Sequence, residues 1–93
     1  PKSVQGASTF RITGYTCPPF CGKTANGSQV ALGQVAVDPR IIPLGSMVVI
    51  QGLGTFQATD TGGDIKGQWI DVFVGNDLAR AYQITGFYSV TWY

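Results

Sequence analysis

Five aspartates carry every side-chain carboxylate of this 93-residue chain, which has neither histidine nor glutamate. General acid and base work therefore falls to Asp38, Asp60, Asp64, Asp71 and Asp77, with lysine, tyrosine and cysteine as weaker candidates. Triads that relay a proton through histidine are excluded. Asp60 opens the triplet Asp60-Thr61-Gly62 that aspartic proteases use, and Gly63 extends it into a loop pliant enough to bring backbone amides up to a carboxylate or a ligand. Asp71 stands inside the apolar stretch "WIDVF", where aspartate is depleted and a buried one requires partners, so it caps a structural network or performs chemistry. Asp38 precedes Pro39 and, taken alone, reads as a turn residue, while Asp64 and Asp77 read as an exposed loop residue and a helix start. Cys17 and Cys21 form "CPPFC". They are expected as a disulfide or as two free thiols, because two thiols without a histidine cannot complete a zinc site within one chain. No metal and no cofactor is expected.

Short strands must position these groups. Thirteen glycines and five prolines punctuate brief apolar runs, the pattern of an all-β domain. The expected strands are 9–16, 34–37, 47–51, 55–59, 69–74 and 87–92. In the first, Phe10, Ile12 and Gly14 alternate with Arg11, Thr13 and Tyr15, the half-buried pattern. Met47 to Ile50 is apolar throughout, as for a strand covered on both faces. Near the end, Ile70, Val72 and Val74 face a core, and Trp69, Asp71 and Phe73 share the other face, a carboxyl group between two rings of the kind on which sugars stack. One short helix is expected, capped by Asn76, with Asp77 in its first turn, Leu78, Ala81 and Tyr82 on one face, and Gly86 as its stop. Six short strands and a helix in one small domain suggest a closed barrel, since closure removes exposed edges. Residues 1–8 are expected as an N-terminal extension and 9–93 as the barrel.

Composition bounds the partners. Charged residues make up 12% and the formal net charge is +1, so neither nucleic acid nor an anionic membrane is the expected partner and an uncharged substrate fits better. No apolar run approaches the ~20 residues of a spanning helix. The start at Pro1 is expected to mark a matured or excised segment of a longer secreted protein. A protease is disfavoured, because the strand before the triplet, "FQAT", is interrupted by a polar residue and the triplet comes too late in the chain for a retroviral-type subunit.

Several motifs in order, "AVDPRIIPLG", "DTGGDIKG" and "IDVF", preceded by "GYTCPPFCGKTANG", resemble the bacterial three-aspartate (3D) domain of stationary-phase muralytic proteins and of the membrane-bound lytic transglycosylase A family. The resemblance runs from about Gly14 to the C-terminus. It implies a six-stranded double-psi β-barrel, places the three name-giving aspartates at Asp38, Asp60 and Asp71, and puts Thr24 with Ala25 and Gly27 on the family's opening loop. It also implies cleavage of the β-1,4 bond between N-acetylmuramic acid and N-acetylglucosamine in peptidoglycan, with Asp71 as the single acid and base and a 1,6-anhydro sugar as product. Substrate contacts are then expected from Thr24, Thr61, Gly62, Gly63, Lys66 and Trp69, with Lys66 alternatively holding Asp60. Trp69 and Phe73 beside Asp71, and repulsion from Asp60 and Asp38, are expected to keep its proton in place. Asp64 replaces a small residue common in relatives. The second domain that walls one side of the cleft in membrane-bound lytic transglycosylase A has no counterpart here, so weak glycan binding is expected unless the barrel forms a homodimer or borrows a wall from elsewhere in a longer protein. The implied setting is bacterial, secreted or attached to the cell wall. The rival expectations are an expansin-like wall-binding module without catalysis, and hydrolysis by two carboxylates with Asp60 or Asp38 activating water.

Overall fold

The computed structural model describes residues 4–93. Among these residues six strands, β1 (Gly6–Tyr15), β2 (Gln34–Ala36), β3 (Met47–Ile50), β4 (Gly54–Asp60), β5 (Trp69–Phe73) and β6 (Gly86–Trp92), close into a barrel, with one helix, α1 (Leu78–Gln83), between the last two. The order around the barrel is β1-β5-β2-β4-β3-β6. Two neighbouring pairs, β1 with β5 and β2 with β4, run parallel, and the other four are antiparallel. This is an all-β fold consistent with a double-psi β-barrel.

The core follows from the period-2 patterns. Phe10, Ile12, Val35, Val48, Ile50, Ala58, Ile70, Val72 and Val90 all point inward and are buried. Met47 and Val49 are only half-buried, so β3 is covered fully on one face, contrary to the two-sided burial its composition suggests. Strand β1 begins at Gly6, inside the segment expected as an extension, because Gly6, Ala7 and Ser8 pair with Trp92, Thr91 and Val90 of β6. At Gly6 the Trp92 indole occupies the place of a Cβ.

Helix α1 is capped by Asp77, whose carboxylate accepts the Arg80 N–H at 3.0 Å, so the cap lies one residue later than expected. Of the three residues expected on its inner face only Ala81 is buried, while Leu78 and Tyr82 are exposed. Ala81 docks on Gly14 of β1, where a Cβ would stand 2.7 Å from the Ala81 Cα. The helix thus leans on the barrel through its smallest residues and leaves its larger apolar ones outside.

Candidate active-site cavity

Parallel pairing of β1 with β5 sets three same-face pairs in register, Arg11 with Trp69, Thr13 with Asp71 and Tyr15 with Phe73. Each pair interacts. The Arg11 guanidinium lies 4.5 Å from the centroid of the Trp69 ring, the Tyr15 and Phe73 rings pack at 5.2 Å, and between them the Thr13 hydroxyl donates to Asp71 Oδ1 at 2.9 Å. Trp69 Nε1 in turn donates to Thr13 Oγ1 at 2.8 Å. The Thr13 hydroxyl spends its acceptor on the indole and its single proton on the carboxylate, which fixes Asp71 in one rotameric setting.

Asp71 faces a cavity of about 180 Å³ lined by Tyr15, Phe20, Ala36, Asp60, Gly62, Gly63, Asp64, Ile65 and Asp71. Asp60, the last residue of β4, reaches it from the far side of β2. Its Oδ1 accepts the N–H groups of Ala25 at 3.1 Å and Thr61 at 2.9 Å. The loop carrying Thr24, Ala25 and Asn26 is therefore a brace for Asp60, tied again by the Asn26 N–H on the Thr59 carbonyl at 3.0 Å. Thr24 is buried, and its hydroxyl donates within its own loop.

Asp38 does not join the other two. Its buried carboxylate accepts from Arg40 Nε, Arg40 Nη2, and the N–H groups of Arg40 and Gly67, the shortest contacts being 2.7 Å to Nη2 and 2.8 Å to Gly67. Hydrogen bonds from the Arg40 side chain, and then from the Gly67 N–H, hold this carboxyl well below the usual carboxylate range. Asp38 pins the turn that delivers the chain into β5. Asp38 is not among the residues lining the cavity, where the third carboxyl-bearing residue is Asp64.

Burial pushes the Asp71 carboxyl up, and the Thr13 hydroxyl pulls it partway back. Neither Asp38 nor Asp60 contributes to that shift, so repulsion between carboxylates is not its origin. Tyr15 is pushed up to about 12, by burial first and then by the charges of Asp60 and Asp71. Its buried hydroxyl has no hydrogen-bond partner among the described residues. It remains a proton donor at any physiological pH.

Other expected contacts fall in different places. Gly62 and Gly63 line the cavity, and Thr61 is half-buried beside it. Trp69 is not among the lining residues, and one face of its ring is taken by Arg11. Phe73 is buried against Tyr15 and offers no open face to a sugar. Lys66 is exposed and does not hold Asp60, since among the described residues the single ion pair joins Arg40 to Asp38. Cys17 and Cys21 are joined as a disulfide with Cα atoms 5.0 Å apart, closing a ring that carries Phe20 at the cavity edge. Tyr15 and Phe20 were not singled out from the sequence, although Tyr15 follows Thr13 by one strand period and Phe20 is the one large apolar residue in the cysteine ring.

A profile of the 3D domain matches residues 33–92. The chain belongs to the 3D domain family. Over 72 residues it is 62% identical to the cell wall-binding protein YocH of Bacillus subtilis (strain 168), covering 71% of this chain and 25% of that protein. Over 78 residues it is 45% identical to the putative cell wall shaping protein YabE of the same organism, covering 77% of this chain and 19% of that protein. This 3D domain thus spans a quarter or less of the length of those two relatives. Among solved structures it is similar to MltA from E. coli, with a TM-score of 0.58 and 26% identity over 75% of this chain and 26% of that one. The profile match contains Asp38, Asp60 and Asp71, whereas Thr13, Tyr15, Phe20 and the disulfide ring lie before it.

Proposed function

We propose that this 3D domain acts on bacterial cell-wall peptidoglycan as a lytic transglycosylase, with Asp71 as its single acid and base. One observation carries the reading. A half-buried carboxyl whose pKa is raised by burial, oriented by Thr13 and facing a cavity shared with a second aspartate, is what protonating a glycosidic oxygen requires. The likeness in fold to MltA supports the same reading.

Asp71 donates its proton to the glycosidic oxygen as the bond from that oxygen to the muramyl C1 breaks. The Asp60 carboxylate, across the cavity, stabilises the positive charge developing at C1. The C6 hydroxyl oxygen of the same sugar then attacks C1 and returns its proton to Asp71, which closes the 1,6-anhydro ring and regenerates the acid. Tyr15, protonated and without a hydrogen-bond partner among the described residues, donates to an oxygen of the bound sugar. At about 180 Å³ the cavity is below the ~300 Å³ at which ligand pockets usually begin, so it grips one ring of a polymer that lies across the open face. The Gly62 and Gly63 backbone lines the contact, and Thr61 and Lys66 flank it.

A second reading, wall binding without cleavage, is favoured by the names of the relatives, one cell wall-binding and the other cell wall shaping. Either reading places the protein outside the cell, on the wall. Mass spectrometry of purified peptidoglycan digested with this protein separates them. Anhydro-muropeptides released by the wild type and not by Asp71→Asn support the lytic reading; reducing-end products point to hydrolysis, and intact polymer to binding alone.

A further inference from the structure

The five-residue ring from Cys17 to Cys21 is braced far beyond what a surface loop needs. Besides the disulfide, the Cys17 N–H donates to the Gly75 carbonyl at 2.9 Å, the Phe20 N–H to Thr16 at 3.0 Å, the Cys21 N–H to Pro19 at 3.2 Å, and the Thr16 hydroxyl to the Pro18 carbonyl at 2.8 Å. Two adjacent prolines remove further freedom. Yet the ring's one large apolar side chain, Phe20, is not packed away: it is 64% exposed. Its ring meets Tyr15 edge-on at 6.4 Å and forms part of the lining of the cavity that holds Asp60 and Asp71. A rigid loop that holds an aromatic ring in water gains little for the fold by doing so, whereas a ring fixed in advance loses no freedom when a ligand covers it.

We infer that Phe20, fixed by the Cys17–Cys21 ring, is a stacking platform for one pyranose ring of the glycan strand, forming a wall of the subsite in which Asp71 works. Aliphatic C–H groups on a pyranose face lie flat on such a ring, and the carboxylates and the Tyr15 hydroxyl on the other walls meet its hydroxyl groups. The inference rests on the glycan-binding part of the proposed function and adds a residue outside the stretch that the family profile matches.

The test is calorimetric titration with peptidoglycan glycan strands freed of stem peptides, in the Asp71→Asn background so that strands are not consumed, comparing Phe20, Phe20→Ala and Phe20→Trp. Covering about half of the exposed ring predicts about tenfold weaker binding for Phe20→Ala, and affinity retained for Phe20→Trp. Because the side chain is exposed, both variants should melt as their parent does. Binding by Phe20→Ala equal to that of its parent overturns the platform. If wild-type protein also fails to sediment with insoluble sacculi, the glycan reading itself falls and the platform with it; sedimentation by the wild type together with an unaffected Phe20→Ala rejects the platform alone.

Discussion

Replacing Thr13 with valine isolates the contact that sets Asp71. Valine keeps the shape and the β-branching of threonine on β1 but removes the hydroxyl that donates to Asp71 Oδ1 at 2.9 Å. That bond stabilises only the ionised carboxyl, since it lowers a pKa that burial has raised. A hydrogen bond to a charged group is worth about 1.5–3 kcal/mol, and partial exposure of the site discounts this to about 1 kcal/mol. Losing that much from the ionised form should then move the alkaline limb of the lysis profile to higher pH. The sign is fixed: losing a donor to the charged form keeps the proton on, so Thr13→Val works at higher pH than the wild type. The assay is the initial rate of anhydro-muropeptide release across pH, with the carboxyl carbon of Asp71 followed by NMR titration as a direct check. Thr13→Ser, which keeps the hydroxyl, should reproduce the wild-type limb. The valine variant also strands the Trp69 indole N–H that Thr13 accepts at 2.8 Å, so a drop in melting temperature is expected and does not count against the reasoning. A Thr13→Val limb that coincides with the wild type, or lies below it, refutes the role given to this bond.

Four further outcomes follow from the same geometry. Asp71→Asn should be more stable than the wild type at neutral pH, because a carboxyl whose folded pKa is raised contributes stability below its ordinary value of 3.8 that is lost as pH rises through the folded value; the two denaturation midpoints should converge in acid. Asp38→Asn should destabilise at neutral pH, since a carboxyl with a lowered pKa stabilises above 3.8, and that contribution should vanish as strong acid protonates it, as read by urea denaturation against pH. Reducing the disulfide should weaken glycan binding about as much as Phe20→Ala while removing only about 2 kcal/mol of stability, the chain-entropy value for so short a ring, measured by titration and by melting with and without reductant. Gly14→Ala would place a methyl group 2.7 Å from the Ala81 backbone, so it should lift α1 from the barrel and cost about 1–3 kcal/mol in chemical denaturation.

The barrel was legible because alternation is a local signal. Phe10 and Ile12 announce the inner face of β1, and Ile70 and Val72 that of β5, without reference to any partner. Strand ends were less so. Gly6, Ala7 and Ser8 carry no apolar period, and only their pairing with β6 makes them strand. Phe73 shows the same limit within the site, because periodicity places it beside Asp71 but cannot foresee that Tyr15 covers it. The turn reading of Asp38 from its neighbour Pro39 describes its environment better than its grouping with Asp60 and Asp71. Its decisive partners, Arg40 and Gly67, lie two and twenty-nine residues away, and the second is invisible to any local rule.

Three aspartates of identical chemistry are thus separated by donors rather than by type. Asp38 is surrounded by Arg40 and two backbone N–H groups, and its charge is spent within the protein. Asp60 has two backbone N–H groups on one oxygen, which holds it in place without a cation beside it among the described residues. Asp71 has a single hydroxyl donor and the greatest burial cost relative to what it receives. Burial works against its ionised form and one hydroxyl offsets this only in part, which is the property that the proposed role of acid and base requires. The Asp38 link to Gly67 bears on this directly. Gly67 accepts the Trp69 N–H at 2.9 Å, so the clamp fixes the entry to β5 two residues before Asp71 and holds that strand at the depth where burial acts on its carboxyl. Breaking the clamp with Asp38→Ala should therefore cost lysis as well as stability. Arg40→Ala, which removes the guanidinium but spares the Asp38 to Gly67 bond, should retain more of both, and equal losses in the two variants would show that the clamp acts through its charge and not through the strand it holds.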